Sequence, residues 1–212
     1  MKKGLNTKDV VEVLKRIAKR IEENKDYITE LDAILGDGDH WANMNMGYQK
    51  IVSIEDELLK LNLADLLKKI GMTLMSTIGG SSGVLYGVAF ITAHKSLIDV
   101  DEIDELKIYE VLNSGLNAMM ERGNAKPGDK TMIDTLYHGV KAYKESLDNK
   151  EKFETAINKM VKSAEEGMKS TKDMEAAKGR AFYRNDKGVG HIDPGAVTMY
   201  YQLEELAQYI LM

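Results

Sequence analysis

Residues 31 to 47, LDAILGDGDHWANMNMG, place three carboxylates (Asp32, Asp37, Asp39), a histidine (His40) and two amides (Asn43, Asn45) around Gly36 and Gly38. A surface turn needs one Asp to bond its own backbone. Three carboxylates gathered in one turn repel each other unless a cation lies between them. Hard oxygen donors without thiols point to Mg²⁺ rather than Zn²⁺. A calcium-binding helix–loop–helix is excluded, because counting from Asp37 puts Trp41 at the fifth ligand position and Tyr48 where the bidentate Glu belongs. Asp32 is read near the end of a short helix, with Gly36 letting Asp37 and Asp39 swing back toward it. The neighbouring carboxylates are expected to raise the pKa of His40 and let it meet a phosphate. The bland alternative is a solvated acidic turn capping a helix that starts near Asn43.

Three more glycine-bearing segments stand out. In IGGSSGVLYG, residues 78 to 87, the run Gly79, Gly80, Ser81, Ser82, Gly83 precedes an apolar helical stretch. Free N–H groups and two hydroxyls at a helix N-terminus make an anion site, although Ser81 or Ser82 could simply cap the helix. In RGNAKPGDKTMIDT, residues 122 to 135, Gly123 and Gly128 are spaced like the glycines of a Walker A loop. Asp129 intervenes before Lys130 and Thr131 and no strand precedes the segment, so that reading fails. What remains is a helix start at Asp129 presenting Lys130 and Thr131, to a phosphate or to solvent. The last segment, AAKGRAFYRNDKGVGHIDPGAVTMYY, carries Arg180, Arg184, His191 and the run Asp193, Pro194, Gly195. Asp193 and Pro194 suit the N-cap and first turn of a helix, and Arg180 offers a bidentate donor to phosphate. Met44, Met46, Tyr200 and Tyr201 are assigned to the core.

The elements that must position these segments read as helices. Apolar residues at Val10, Leu14, Ile17 and Ile21 face one side of a first helix with Thr7 as its expected N-cap. Similar patterning covers 43–60, 63–78, 82–98, 104–122, 129–146, 151–169 and 194–211. The expected fold is an all-α antiparallel up-and-down bundle or barrel of about eight helices, one domain spanning 1–212, with the four polar segments converging on one end. The 29 Lys and Arg against 34 Asp and Glu give a net charge of −5, interspersed along the chain. That surface gives no reason to expect nucleic acid or anionic lipid as a partner. There is no Cys, which excludes thiolate metal sites, a catalytic cysteine and disulfides. No run approaches bilayer length and no leader pattern is seen, so a cytoplasmic location without a membrane partner is expected.

Taken in order, LDAILGDGDHWANM, GGSSGVLYG, GNAKPGDKTMIDTL and KGRAFYRNDKGVGHIDPGAV resemble the nucleotide-binding L subunits of bacterial dihydroxyacetone kinase over nearly the whole chain. The resemblance implies a barrel of eight antiparallel helices that binds ADP or ATP with two Mg²⁺ at one end. By position, Asp32, Asp37 and Asp39 would hold the metal. His40, Trp41, Ala42, Asn43, Gly80, Ser81, Ser82, Gly123, Thr131, Met132, Arg180, Asp193, Pro194 and Gly195 would form the nucleotide site. Trp41, the sole tryptophan, departs from the small residue expected there. No catalytic residue is expected beyond the metal and phosphate site. The sugar-binding half is expected on a separate K subunit. A phosphocarrier M subunit of the phosphotransferase system would rephosphorylate resident ADP, and a homodimer is a further option. The alternatives are a nucleotide-binding regulatory module, an ATP-dependent kinase subunit for another small acceptor, and a helical interaction protein with an incidental acidic turn.

Overall fold

Most of the long helices carry one apolar face, and turning those faces inward closes a ring. In the computed structural model, which describes residues 1–212, the helices are α1 (Thr7–Glu23), α2 (Lys25–Leu35), α3 (His40–Ser53), α4 (Glu55–Leu58), α5 (Leu63–Thr77), α6 (Gly80–Ala93), α7 (Glu105–Gly123), α8 (Met132–Asp148), α9 (Phe153–Ser170) and α10 (Pro194–Leu211). Packing contacts run α1 to α3, α3 to α5, α5 to α6, α6 to α7, α7 to α8, α8 to α9, α9 to α10, and α10 back to α1. The starts of α3, α6, α8 and α10 share one end, so ring neighbours run antiparallel. The all-α up-and-down expectation therefore holds, with α2 added as an end piece. Ion pairs Arg16–Glu205 (2.9 Å) and Arg20–Glu204 (3.0 Å) cross the closing seam between α1 and α10. At the far end Leu5 and Ile103 exchange backbone hydrogen bonds of 3.0 and 2.8 Å. Between the helices lies an apolar space of about 170 Å³ lined by residues such as Leu14, Ile17, Phe90 and Leu112.

Several local expectations are corrected. Asn6, not Thr7, caps α1, in a reciprocal arrangement with Asp9. The stretch read as one helix over 43–60 begins earlier, at His40, and breaks at Ile54 into α3 and α4. The helix read from Asp129 starts at Met132, leaving Asp129 and Lys130 in the preceding loop. Gly79 rather than a serine is the N-cap of α6. Met46 is 50% exposed while Met44 is fully buried, because residues two apart on a helix are separated by about 200° around its axis and so face opposite sides of α3.

Candidate functional site

Alternation around the ring brings the starts of α3, α6, α8 and α10 to one end, where they surround a cleft of about 540 Å³. Each start directs N–H groups without an intrahelical partner, and a partial positive charge, toward the cleft. At α6 no side chain caps these groups. Gly80 there has φ +66°, and a Cβ on it would meet only open space, whereas one on Gly79 would lie 2.7 Å from Asn43 Oδ1. At α8, Thr131 Oγ1 accepts from Ile133 N–H (3.1 Å) and Asp134 accepts in return from Thr131 N–H (2.7 Å) and Gly128 N–H (2.5 Å). At α10, Asp193 accepts from Ala196 N–H at 2.8 Å, with Pro194 in the first turn. At α3 the capping carboxylate comes from another helix, since Asp32 at the end of α2 accepts from His40 N–H at 2.9 Å.

Asp32, Asp37 and Asp39 each bring one oxygen to within 4.8 Å of the others, with Asp32 buried and the other two exposed. Although Asp39 reaches solvent, partial desolvation of its carboxyl in the cleft, and next the charge of Asp37, raise its pKa. Arg180 Nη2 lies 2.5 Å from Asp37 Oδ2, its side chain 64% exposed. A convergent, oxygen-only, mutually repelling donor set beside a cation fits a small hard divalent ion.

Every site residue inferred from the sequence walls this cleft except Trp41 and Ala42. Trp41 turns away: its Nε1 donates to the Ile21 carbonyl at 3.0 Å and Lys25 Nζ sits 4.8 Å over its ring. The bulky residue thus fastens the start of α3 to the α1–α2 junction instead of entering the cleft. Leu85, Ala125 and Ile133 also supply apolar wall, and nothing in the sequence marks them, because apolar residues near helix ends look like ordinary core. Lys130, expected to face a phosphate or solvent, is instead 1% exposed.

His40 reverses the expectation for its pKa. Burial pushes it down to about 4, outweighing the opposing charge of Asp32. Its Nε2 lies 2.9 Å from Thr198 Oγ1, and that hydroxyl donates to the Gly195 carbonyl at 3.1 Å. The hydroxyl is then the acceptor, His40 carries its proton on Nε2, and the neutral ring holds α3 to α10. Asp193 is pushed up to about 7, again by burial first.

These two shifts oppose each other in stability. A lowered His pKa makes the fold lose stability as pH falls from the ordinary 6.5 toward 4. A raised Asp pKa makes it gain stability as pH falls from 7 toward the ordinary 3.8. Between about pH 6 and 5 native and unfolded chains hold one proton each on this pair, so the slopes cancel. In metal-free buffer, His40→Asn is expected to unmask the Asp193 slope, the melting temperature rising relative to wild type as pH is lowered from 7 to 5. Parallel melting curves across that range would refute the assignment.

The helical ring and a cleft combining helix N-termini with an acidic triad define an all-α protein suited to a polyanion and its metal. The DAK2 domain family matches residues 34–208, and the chain belongs to that family. It is 34% identical over 204 residues to the PEP-dependent dihydroxyacetone kinase ADP-binding subunit DhaL of Escherichia coli, covering 96% of this chain and 97% of that one. The PTS-dependent dihydroxyacetone kinase ADP-binding subunit DhaL of Lactococcus lactis is 37% identical over 203 residues, covering 94% and 96%. The crystal structure of the dihydroxyacetone kinase of C. freundii in complex with AMP-PNP and Mg²⁺ matches with a TM-score of 0.71 and 27% identity, over 94% of this chain and 33% of that one.

Proposed function

We propose that this chain is the ADP- or ATP- and Mg²⁺-binding subunit of dihydroxyacetone kinase, a phosphotransferase that passes a phosphoryl group from bound nucleotide to dihydroxyacetone on a separate K subunit. The observation that carries this reading is the convergence of three helix starts, α6, α8 and α10, on the Asp32, Asp37 and Asp39 cluster in a chain matching ADP-binding subunits end to end. Asp32, Asp37 and Asp39 would hold two Mg²⁺, which when bound supply charge neutralisation on the phosphates.

The rest falls to the chain's own groups. The uncapped N–H groups at Gly80, with Ser81 and Ser82, are suited to phosphate oxygens. Arg180 stands beside the cluster to add a cationic donor. Leu85, Ala125 and Met132 give an apolar wall suited to a nucleobase. Phosphoryl transfer is mostly positioning and electrostatics, so no nucleophile is required here. No helix is long and apolar enough to cross a membrane, and the proposed compartment is the cytoplasm.

The relatives named PEP-dependent and PTS-dependent support a route in which ADP stays bound and a phosphocarrier M subunit recharges it. Native mass and phosphorus analysis of the purified protein tests this: copurified ADP retained through dialysis, and dihydroxyacetone phosphorylated only when a K subunit is added, are expected. Nucleotide that exchanges freely would favour the ATP-dependent route. No affinity for ADP with Mg²⁺ would sink the reading. The same mass measurement reports whether the chain pairs with itself.

A further inference from the structure

Lys130 combines two features that each cost free energy. Its backbone has φ +60°, a left-handed conformation unfavourable for a side-chain-bearing residue. Its side chain is 1% exposed, where an ammonium pays desolvation unless it is paired. The ammonium is paired with two main-chain carbonyls, Thr171 and, at 2.5 Å, His191.

Those carbonyls lie at the two ends of one segment. Residues 171–193 join α9 to α10 as an irregular strap, closed on itself by Asp193 N–H to Thr171 Oγ1 (3.1 Å), Gly190 N–H to the Lys172 carbonyl (2.7 Å) and Ala176 N–H to the Lys187 carbonyl (2.9 Å). Ala176 and Ala181 bury their methyl groups against Leu35, and polar contacts outside the strap are few. Ala177 N–H donates to the Asp129 carbonyl at 3.1 Å, and Arg184 Nη1 to the Ile34 carbonyl at 2.5 Å. Gly188 rests on both Leu35 and Lys130, a Cβ there falling 2.7 Å from Leu35 Cδ2 and 3.1 Å from Lys130 Cε. Arg180 rides on this strap with an exposed side chain whose partner is Asp37. Its place beside the acidic cluster is therefore set by the strap more than by packing around the guanidinium.

We infer that Lys130 is a positioning residue: its ammonium pins both ends of the 171–193 strap against the start of α8, and so holds Arg180 over the carboxylate cluster. A neutral side chain of similar volume could fill the space but could not satisfy two carbonyls at once. The inference rests on the proposed nucleotide reading only where Arg180 is said to serve a phosphate.

Two measurements decide it. In calorimetric titrations with ADP and Mg²⁺, Lys130→Met and Arg180→Ala are each expected to weaken binding by about tenfold or more, the loss of one charge-assisted donor. If Lys130 acts through Arg180, the double variant is no weaker than the weaker single one; a general loss of stability would instead make the losses multiply, and that result overturns the inference. Without nucleotide, trypsin is expected to cut Lys130→Met at Arg184 or Lys187 at least several-fold faster than wild type while the helices stay resistant. Equal cutting rates also overturn the pin. Should Lys130→Met fail to fold, Lys130→Arg keeps the charge while changing its reach, and its loss should vanish in the Arg180→Ala background. Wild type that binds no ADP would refute the nucleotide reading, leaving the strap to be judged by proteolysis alone.

Discussion

Asp39→Asn is expected to weaken Mg²⁺-dependent ADP binding by on the order of a hundred-fold or more, the scale of loss when a metal's coordination is disturbed, while the ligand-free protein stays at least as stable as wild type. Most point substitutions lower stability. Here the sign differs because the Asp39 carboxyl is held above its ordinary pKa, first by partial desolvation in the cleft and then by Asp37. A folded pKa raised above the unfolded value means that the ionised group opposes folding at neutral pH. Asparagine keeps the shape, removes one of three crowded charges, and relieves that opposition. Asp32 would behave otherwise, since it is buried and accepts the His40 N–H, so its replacement also loosens the start of α3. The pair of measurements is a titration with ADP and Mg²⁺ beside thermal melts in chelator. Loss of stability in parallel with affinity would make Asp39 a structural residue, and unchanged affinity would remove it from the metal set.

The sequence already disclosed which segments meet, because glycine, hydroxyl and acidic residues concentrate between periodic helices, and alternation in an up-and-down ring sends every second connection to the same end. It disclosed less about direction. Trp41 and His40 are adjacent, yet one faces the Ile21 carbonyl and the other Thr198. That choice depends on how α3 rotates against α1 and α10, a tertiary fact with no local signature. His40 was misjudged for a related reason: the carboxylates are visible in the sequence, but the burial that outweighs them is not. Lys130 failed in the same way. Between Asp129 and Thr131 a lysine reads as a solvated cation, and the two carbonyls that receive it belong to residues more than forty positions along the chain. Helix ends shifted by a few residues where caps compete, as at Thr7, where Asn6 and Asp9 form the reciprocal cap.

The glycines of residues 79–87 looked alike in the sequence, and Gly83→Ala separates them. Gly80 is needed for its conformation, with φ +66° and open space around it. Gly83 is a helical glycine whose Cβ would fall 2.0 Å from the Ile78 carbonyl oxygen and 2.9 Å from the carbonyl carbon. Those are main-chain atoms of the turn itself, so no side-chain rotation can relieve the clash. Alanine gains about 1 kcal/mol of helix propensity over glycine, while overpacking against fixed atoms costs about 3 kcal/mol. The net loss of about 2 kcal/mol should lower the melting temperature by roughly 4–8 °C for a chain of this size. To make room, Ile78 and Gly79 must move, and with them the uncapped N–H groups of α6 that face the cleft. Gly83→Ala should therefore lose ADP affinity as well as stability, although its own side chain never reaches the ligand. Gly80→Ala, strained but unhindered, should lose less stability. Equal melting temperatures for the two variants would mean that the Ile78 carbonyl yields freely, and that α6 begins where it does for a reason other than this close approach.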